Sequence, residues 1–133
     1  MSFYNTAVSN RFAVENVFRT SPRQNSGLPT FSSSRNLLPA PFWAGRDDVI
    51  ECYWKAWEIA FGNLRTPAKE SPLISNFIDT AFNEATFMWD SAFMSMFGCY
   101  GNRAFHFQGT LDNFYARQHI DGYISREIRV KDG

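Results

Sequence analysis

Asp47-Asp48-Val49-Ile50-Glu51-Cys52-Tyr53-Trp54-Lys55-Ala56-Trp57-Glu58-Ile59-Ala60-Phe61-Gly62-Asn63-Leu64 is the stretch whose reading decides the fold class. Within it Ile50, Tyr53, Trp54, Trp57, Phe61 and Leu64 recur at three- and four-residue steps, the spacing that lines one face of an amphipathic helix. Asp47 and Asp48 put negative charge at the positive end of the helix dipole, while Gly62-Asn63 and then Thr66-Pro67 supply the stop. The same logic carries down the chain. A second helix is expected from about Trp89 to Gly101, turning Phe93, Met96, Phe97 and Tyr100 inward, although it is apolar on nearly every side. A third is expected from Arg103 to Gln118, with Phe107, Leu111, Phe114 and Tyr115 as its buried stripe. Asp121-Gly122 marks a turn, and Ile124, Ile128 and Val130 alternate with polar partners as in a short strand. The fold class expected is therefore mainly α, with about three main helices and a short C-terminal extended segment.

Upstream of the first helix the pattern is lost. Phe12, Val14 and Phe18 stand isolated among Asn, Ser, Thr, Arg and Pro, with room for no more than a short helix around Val14. Ser21-Pro22, Ser26-Gly27-Leu28-Pro29 and Ser32-Ser33-Ser34 interrupt any continuation. Pro39-Ala40-Pro41 then delivers the chain, extended, to Phe42 and Trp43. Residues 1–40 are read as an irregular N-terminal arm and 41–133 as a helical domain.

The 133 residues suit one domain, because domains usually hold ~100–200 residues. Thirteen basic residues balance thirteen acidic ones, so no strong field draws the chain to nucleic acid or to an acidic membrane. Aromatic residues make up 17% of it, 14 of them Phe, which excludes full disorder and implies a substantial core or stacking surface. No apolar run approaches the ~20 residues needed to span a bilayer, and Met1-Ser2-Phe3-Tyr4-Asn5-Thr6 lacks the segments of a secretory signal. A cytoplasmic chain is expected. Cys52 and Cys99 have no metal-type spacing and fall in apolar helical patterns, as buried free thiols would.

Acid, amide and aromatic groups are densest in Ile78-Asp79-Thr80-Ala81-Phe82-Asn83-Glu84-Ala85-Thr86-Phe87-Met88-Trp89-Asp90-Ser91. A carboxylate beside an indole at a helix N-terminus can accept sugar hydroxyls while the ring packs on the apolar face of a pyranose. The plainer reading makes Asp90 a cap, Trp89 a core residue and Asp79 a turn residue. A second polar cluster, Gln108, Asp112, Asn113, Arg117, Gln118 and His119, reads as a solvated helix face or as a pocket wall in which Gln108 and Asp112 accept hydroxyls. His106 has no partner at metal-ligand spacing, and no nucleotide fingerprint is present, so neither a metal nor an organic cofactor is implied. Asp90 and Glu127 could pair as general acid and base only with carboxyls ~6.5–9.5 Å apart. Glu127 lies between Arg126 and Arg129, neighbours that suit an acid poorly.

At Phe87-Met88-Trp89-Asp90-Ser91 and again at Asp121-Gly122-Tyr123-Ile124-Ser125-Arg126-Glu127-Ile128 the chain resembles the six-hairpin (α/α) barrel glycosidases. The nearest likeness is to glycoside hydrolase family 63 and its trehalase-like and mannosylglycerate-hydrolase-like relatives. It spans residues 38 to 129 and extends to Phe107-Gln108-Gly109-Thr110-Leu111-Asp112-Asn113-Phe114. The resemblance implies that Trp89 and Asp90 line the subsite of the terminal sugar, Asp90 taking hydroxyl hydrogen bonds, while Arg126 and Glu127 shape the rim. It also implies an acid and a base on later barrel helices. Twelve helices at about 10–14 residues each do not fit this length, so the expectation is an (α/α)6 toroid fragment with no catalytic residue of its own. Such a chain would bind saccharide for an inverting hydrolase of α-linked glycosides and be inactive alone, with self-association or pairing with the missing C-terminal portion to cover its aromatic surface. The rival expectation is a noncatalytic helical module that docks another chain through its aromatic and Met surface. An intact small hydrolase using Asp90 and Glu127 is the minority reading.

Overall fold

The structure, a computed structural model, describes residues 15–23, 26–79 and 84–131. Phe12 and Val14, and Thr80-Ala81-Phe82-Asn83 of the acid- and amide-rich segment, lie outside the described residues. Among the described residues there are four α-helices, α1 (Phe31–Ser34), α2 (Asp47–Gly62), α3 (Met88–Gly98) and α4 (Gly109–Ala116). Two small antiparallel sheets accompany them, β1 (Leu64–Arg65) with β2 (Phe77–Ile78) and β3 (Ala85–Phe87) with β4 (Glu127–Arg129). None of these helices is long and apolar enough to cross a membrane.

α2 runs as its spacing dictates. Trp57, Ala60 and Phe61 are buried on its inner face, and Tyr53 and Trp54 pack at the margin. At its start the Arg46 guanidinium grips Asp48 at 2.9 Å and holds that exposed carboxyl below the usual aspartate range. At its end the Asn63 N–H donates to the carbonyls of Ile59 and Ala60, and the chain turns directly into β1. β1 pairs with β2 in the register Leu64↔Ile78 and Arg65↔Phe77. Trp57, Phe61, Leu64 and Ile78 then form one core with Leu38, Phe105 and Phe107. Its rings meet edge to face, Phe61 and Phe107 at 81° and Phe105 and Phe107 at 83°, the arrangement that aromatic quadrupoles favour.

A second core gathers Leu73, Phe77, Phe114 and Ile128 between α4 and the β3–β4 sheet. Two polar side chains of α4 pin the segment that connects the cores. Asn113 Oδ1 accepts from the backbone N–H groups of Ile74 (2.8 Å) and Ser75 (2.9 Å), and its Nδ2 donates to the Ser75 carbonyl. Thr110 Oγ1 accepts from the Ile78 N–H at 3.0 Å. Backbone groups of a segment too short for its own ladder are thereby satisfied inside the protein.

The arm is fastened to this body at several places. Phe18, in a 3-10 turn over Val17–Arg19, stacks on Tyr115 at 5.4 Å, and Asn16 Nδ2 donates to the Tyr115 carbonyl. The Arg23 guanidinium donates to the carbonyls of Lys69, Ser71 and Leu73. Beyond α1, which a Thr30–Ser33 capping box starts, Leu38 enters the first core.

Three expectations need correction. The third helix covers Gly109–Ala116, not Arg103–Gln118. Phe105 and Phe107 are both buried with His106 exposed between them, an alternation that a helix cannot give, and the Phe107 N–H closes a tight turn on the Phe105 carbonyl at 2.9 Å. Cys52 and Cys99 are free, as expected, but exposed. The largest difference is in α3. Its buried residues are Ser91, Ser95 and Gly98, while Phe93, Met96 and Tyr100, expected inside, are exposed. The cause is close approach, because a Cβ on Gly98 would lie 2.4 Å from Cγ of Phe107 and one on Gly101 2.8 Å from the Trp57 ring. Only small residues let this helix lie against those rings.

Candidate functional site

β3 passes without a break into α3, so Phe87, the residue before the first helical one, is still extended, at φ −108° and ψ 134°. Trp89 and Asp90 therefore stand in the first helical turn, immediately beyond the end of a paired strand. β4 lies across from them in the register Ala85↔Arg129, Thr86↔Ile128 and Phe87↔Glu127. The Met88 N–H donates to the Arg126 carbonyl at 2.8 Å, which carries the pairing to the helix start. Trp89-Asp90 and Arg126-Glu127 are thus brought together by backbone hydrogen bonding. Along β4 only Ile128 is buried, so Glu127 and Arg129 share the exposed face. Arg126 Nη2 donates to Glu127 Oε2 at 3.0 Å; Trp89 is 74% exposed, its ring 5.4 Å from that of Phe93, and Asp90 is half-buried.

Gln108 and Asp112 form a separate group at the start of α4. Gln108 is exposed, and its carbonyl accepts from the Asp112 N–H. Asp112 is buried, with Oδ2 at 3.2 Å from Nε2 of the half-exposed His106. His106 also lines an open cavity of about 410 Å³ walled by Ser26 to Pro29, Ser75, Asn76, Ala104 and Phe105. There Asn76 Nδ2 donates to the Ser26 carbonyl at 2.7 Å, and its buried Oδ1 has no partner. The six residues anticipated from sequence therefore fall into two places. Neither Asn76 nor the His106–Asp112 pair carried a sequence signal, since residues six apart share no helix face and no strand runs from His106 to Asp112. Among the described residues no cluster of His, Cys, Asp or Glu could hold a metal ion.

The sequence reading also missed the outer surface of α3. At about 100° per residue, Trp89, Phe93 and Met96 of α3 fall within an arc of about 60°, Tyr100 follows in the 3-10 turn Cys99–Gly101, and Ser91, Ser95 and Gly98 lie on the opposite side of the helix. Phe93, Met96 and Tyr100 are 56%, 67% and 69% exposed. The helix turns Ser91, Ser95 and Gly98 in, packs Met94 and, as expected, Phe97 against the margin of the first core, and leaves Trp89, Phe93 and Met96 outside. The ridge of small residues at four- and three-residue steps was the available signal.

No family model, curated protein or solved structure matches this chain.

Proposed function

We propose that this chain forms the terminal-sugar-binding wall of an inverting glycoside hydrolase acting on α-linked glycosides, part of an (α/α)6 toroid resembling family 63. The observation that supports this reading is the β3–β4 register, which unites the two segments on which the resemblance rests at one strand–helix junction. In this reading the exposed Trp89 ring takes the apolar face of a pyranose, Asp90 accepts its hydroxyls, and Arg126 and Glu127 form the rim. Gln108 and Asp112 contribute a second polar wall. Asp90 orients substrate and exchanges no proton, so the chain hydrolyses nothing by itself. Two unpaired, exposed cysteines suit a reducing compartment such as the cytoplasm.

The test is titration with glucose, mannose and their α-linked disaccharides, followed through tryptophan emission and amide shifts. Binding is expected at millimolar concentrations, weakened about 10-fold or more by Trp89→Ala or Asp90→Asn, the loss of one stacking or charged contact. Trp43→Ala, a change at another exposed indole, should leave it unaltered. No binding, or binding indifferent to Trp89 and Asp90, refutes the reading. Turnover abolished by Asp90→Asn would instead assign that carboxylate to proton transfer.

One observation favours a second reading, the noncatalytic docking module. Phe93 and Met96 offer no polar atom to a sugar, and a stripe of such residues suits a protein surface better. Under that reading Trp89→Ala weakens binding to a protein partner while saccharide binding is undetectable.

A further inference from the structure

The exposed stripe that runs along α3 into the 3-10 turn Cys99–Gly101 has a symmetry of its own. Its members, Trp89, Phe93, Met96 and Tyr100, are spaced four, three and four residues apart, the alternation of a coiled-coil seam. That spacing reads the same in both directions. Two copies laid antiparallel about a point between Phe93 and Met96 would bring each Trp89 to the other copy's Tyr100, and each Phe93 to the other's Met96. We propose that α3 is a self-complementary seam through which two copies of this chain pair antiparallel.

Charge selects that orientation. Asp90 is the only ionisable side chain from Met88 to Gly98. Parallel pairing would set the two Asp90 carboxylates at one height on opposite flanks of the seam and align the two helix dipoles, which repel. Antiparallel pairing places each carboxylate opposite position 99 of the partner, so the two lie about 14 Å apart along the axis at 1.5 Å rise per residue. That exceeds the screening length of about 8–10 Å at ordinary salt. The inner side of α3 also favours a rigid ridge, since Gly98 and Gly101 are held against Phe107 and Trp57.

Area sets the strength. With side chains of about 150–250 Å² and the exposures above, the four residues offer on the order of 500 Å² per copy, or roughly 1,000 Å² for the pair. Specific stable interfaces usually bury about 1,200–2,000 Å², so the pair is weak and concentration-dependent. A dissociation constant of about 10⁻⁵–10⁻³ M is expected. Trp89 belongs to both the seam and the proposed sugar wall, so the test acts at positions 93 and 96, leaving Trp89 and Asp90 intact.

The experiment is sedimentation of the full chain from about 1 μM to about 1 mM, a range that brackets such an affinity. Phe93→Glu and Met96→Lys are compared separately and mixed. Both positions are exposed, and unchanged unfolding temperatures certify that the variants fold. The wild type should dimerise, and each variant alone should weaken pairing at least about 10-fold. The mixture should recover a dimer, because the carboxylate introduced in one variant then faces the ammonium introduced in the other across the seam. A wild type monomeric throughout overturns the proposal. So does self-association that Phe93→Glu leaves unchanged, which would place the contact elsewhere, for instance at the exposed Phe42–Trp43. Recovery by neither mixture nor higher concentration of the variants, with the wild type dimeric, would overturn the antiparallel register. Saccharide binding by a monomeric Met96→Lys, a change away from the Trp89–Phe93 ring contact, would leave the sugar reading standing, and its absence would count against that reading alone.

Discussion

Gly98→Ala adds one methyl group at the place where α3 rests on the first core. The new carbon would lie 2.4, 2.5 and 2.6 Å from Cγ, Cδ1 and Cβ of Phe107, whereas carbon atoms pack at about 3.5–4.0 Å. An overlap of about 1 Å must be relieved. Phe107 cannot yield, being 0% exposed and flanked by Trp57, Phe61 and Phe105 at ring distances of 6.0, 6.4 and 5.0 Å. α3 must back away instead, which loosens the Trp57–Phe97 contact at 4.2 Å. Overpacking of this kind costs about 1–3 kcal/mol, more where nothing can shift. Alanine in place of glycine returns about 1 kcal/mol of helix propensity. The net expectation is a loss of up to about 2 kcal/mol, read in urea unfolding as a lower midpoint at unchanged slope. Adding Phe107→Leu should then cost less than in the wild-type background, a coupling of about 0.5–3 kcal/mol between touching residues. A Gly98→Ala protein more stable by about 1 kcal/mol would show helix propensity acting alone, and the packing of α3 on Phe107 would be refuted.

Asn113→Leu removes the acceptor for two backbone N–H groups and the donor for one carbonyl; at about 1–3 kcal/mol per buried group it should cost about 3 kcal/mol or more. Asn113→Asp keeps the acceptor, so hydrogen exchange at Ile74 and Ser75 should be much faster in the Leu variant than in the Asp variant, and equal rates would contradict the role assigned. Ser91→Ala should stabilise by about 0.5–2 kcal/mol, because the Ser91 hydroxyl is fully buried without a partner and alanine is the better helix former. A destabilised Ser91→Ala in thermal unfolding would mean that this hydroxyl is satisfied.

How far the sequence could be read depends on what each element answers to. α2 was legible because one face is apolar and the other charged, so a single rotation satisfies it. α3 was legible as a helix but not in its orientation. Met, Trp and Phe surround it, and steric fit against Phe107 and Trp57, which no periodicity encodes, decides which side goes in. The third helix reads too long because the segment from Arg103 suits a helix locally, whereas burying both Phe105 and Phe107 overrides that preference. β1, β2 and β3 are two or three residues long, below the span at which alternation registers. At the candidate site the Trp89-Asp90 and Arg126-Glu127 segments could be named from their motifs. The strand pairing that joins them is a long-range contact that neither segment announces.

The fastenings of the arm bear on how the chain is made. Arg19 Nη2 donates to the carbonyl of Gln118, 99 positions further on, and Asn16 reaches Tyr115 over the same separation. A ribosome adding about 5–20 residues per second needs about 5–20 s to supply that partner. For all of that interval Asn16 and Arg19 lack these acceptors, and Phe18 is without Tyr115. The order of synthesis therefore opposes the order of assembly, since the Asn16–Arg19 segment is made long before the residues that hold it. Delays in translation before position 115 would lengthen that interval.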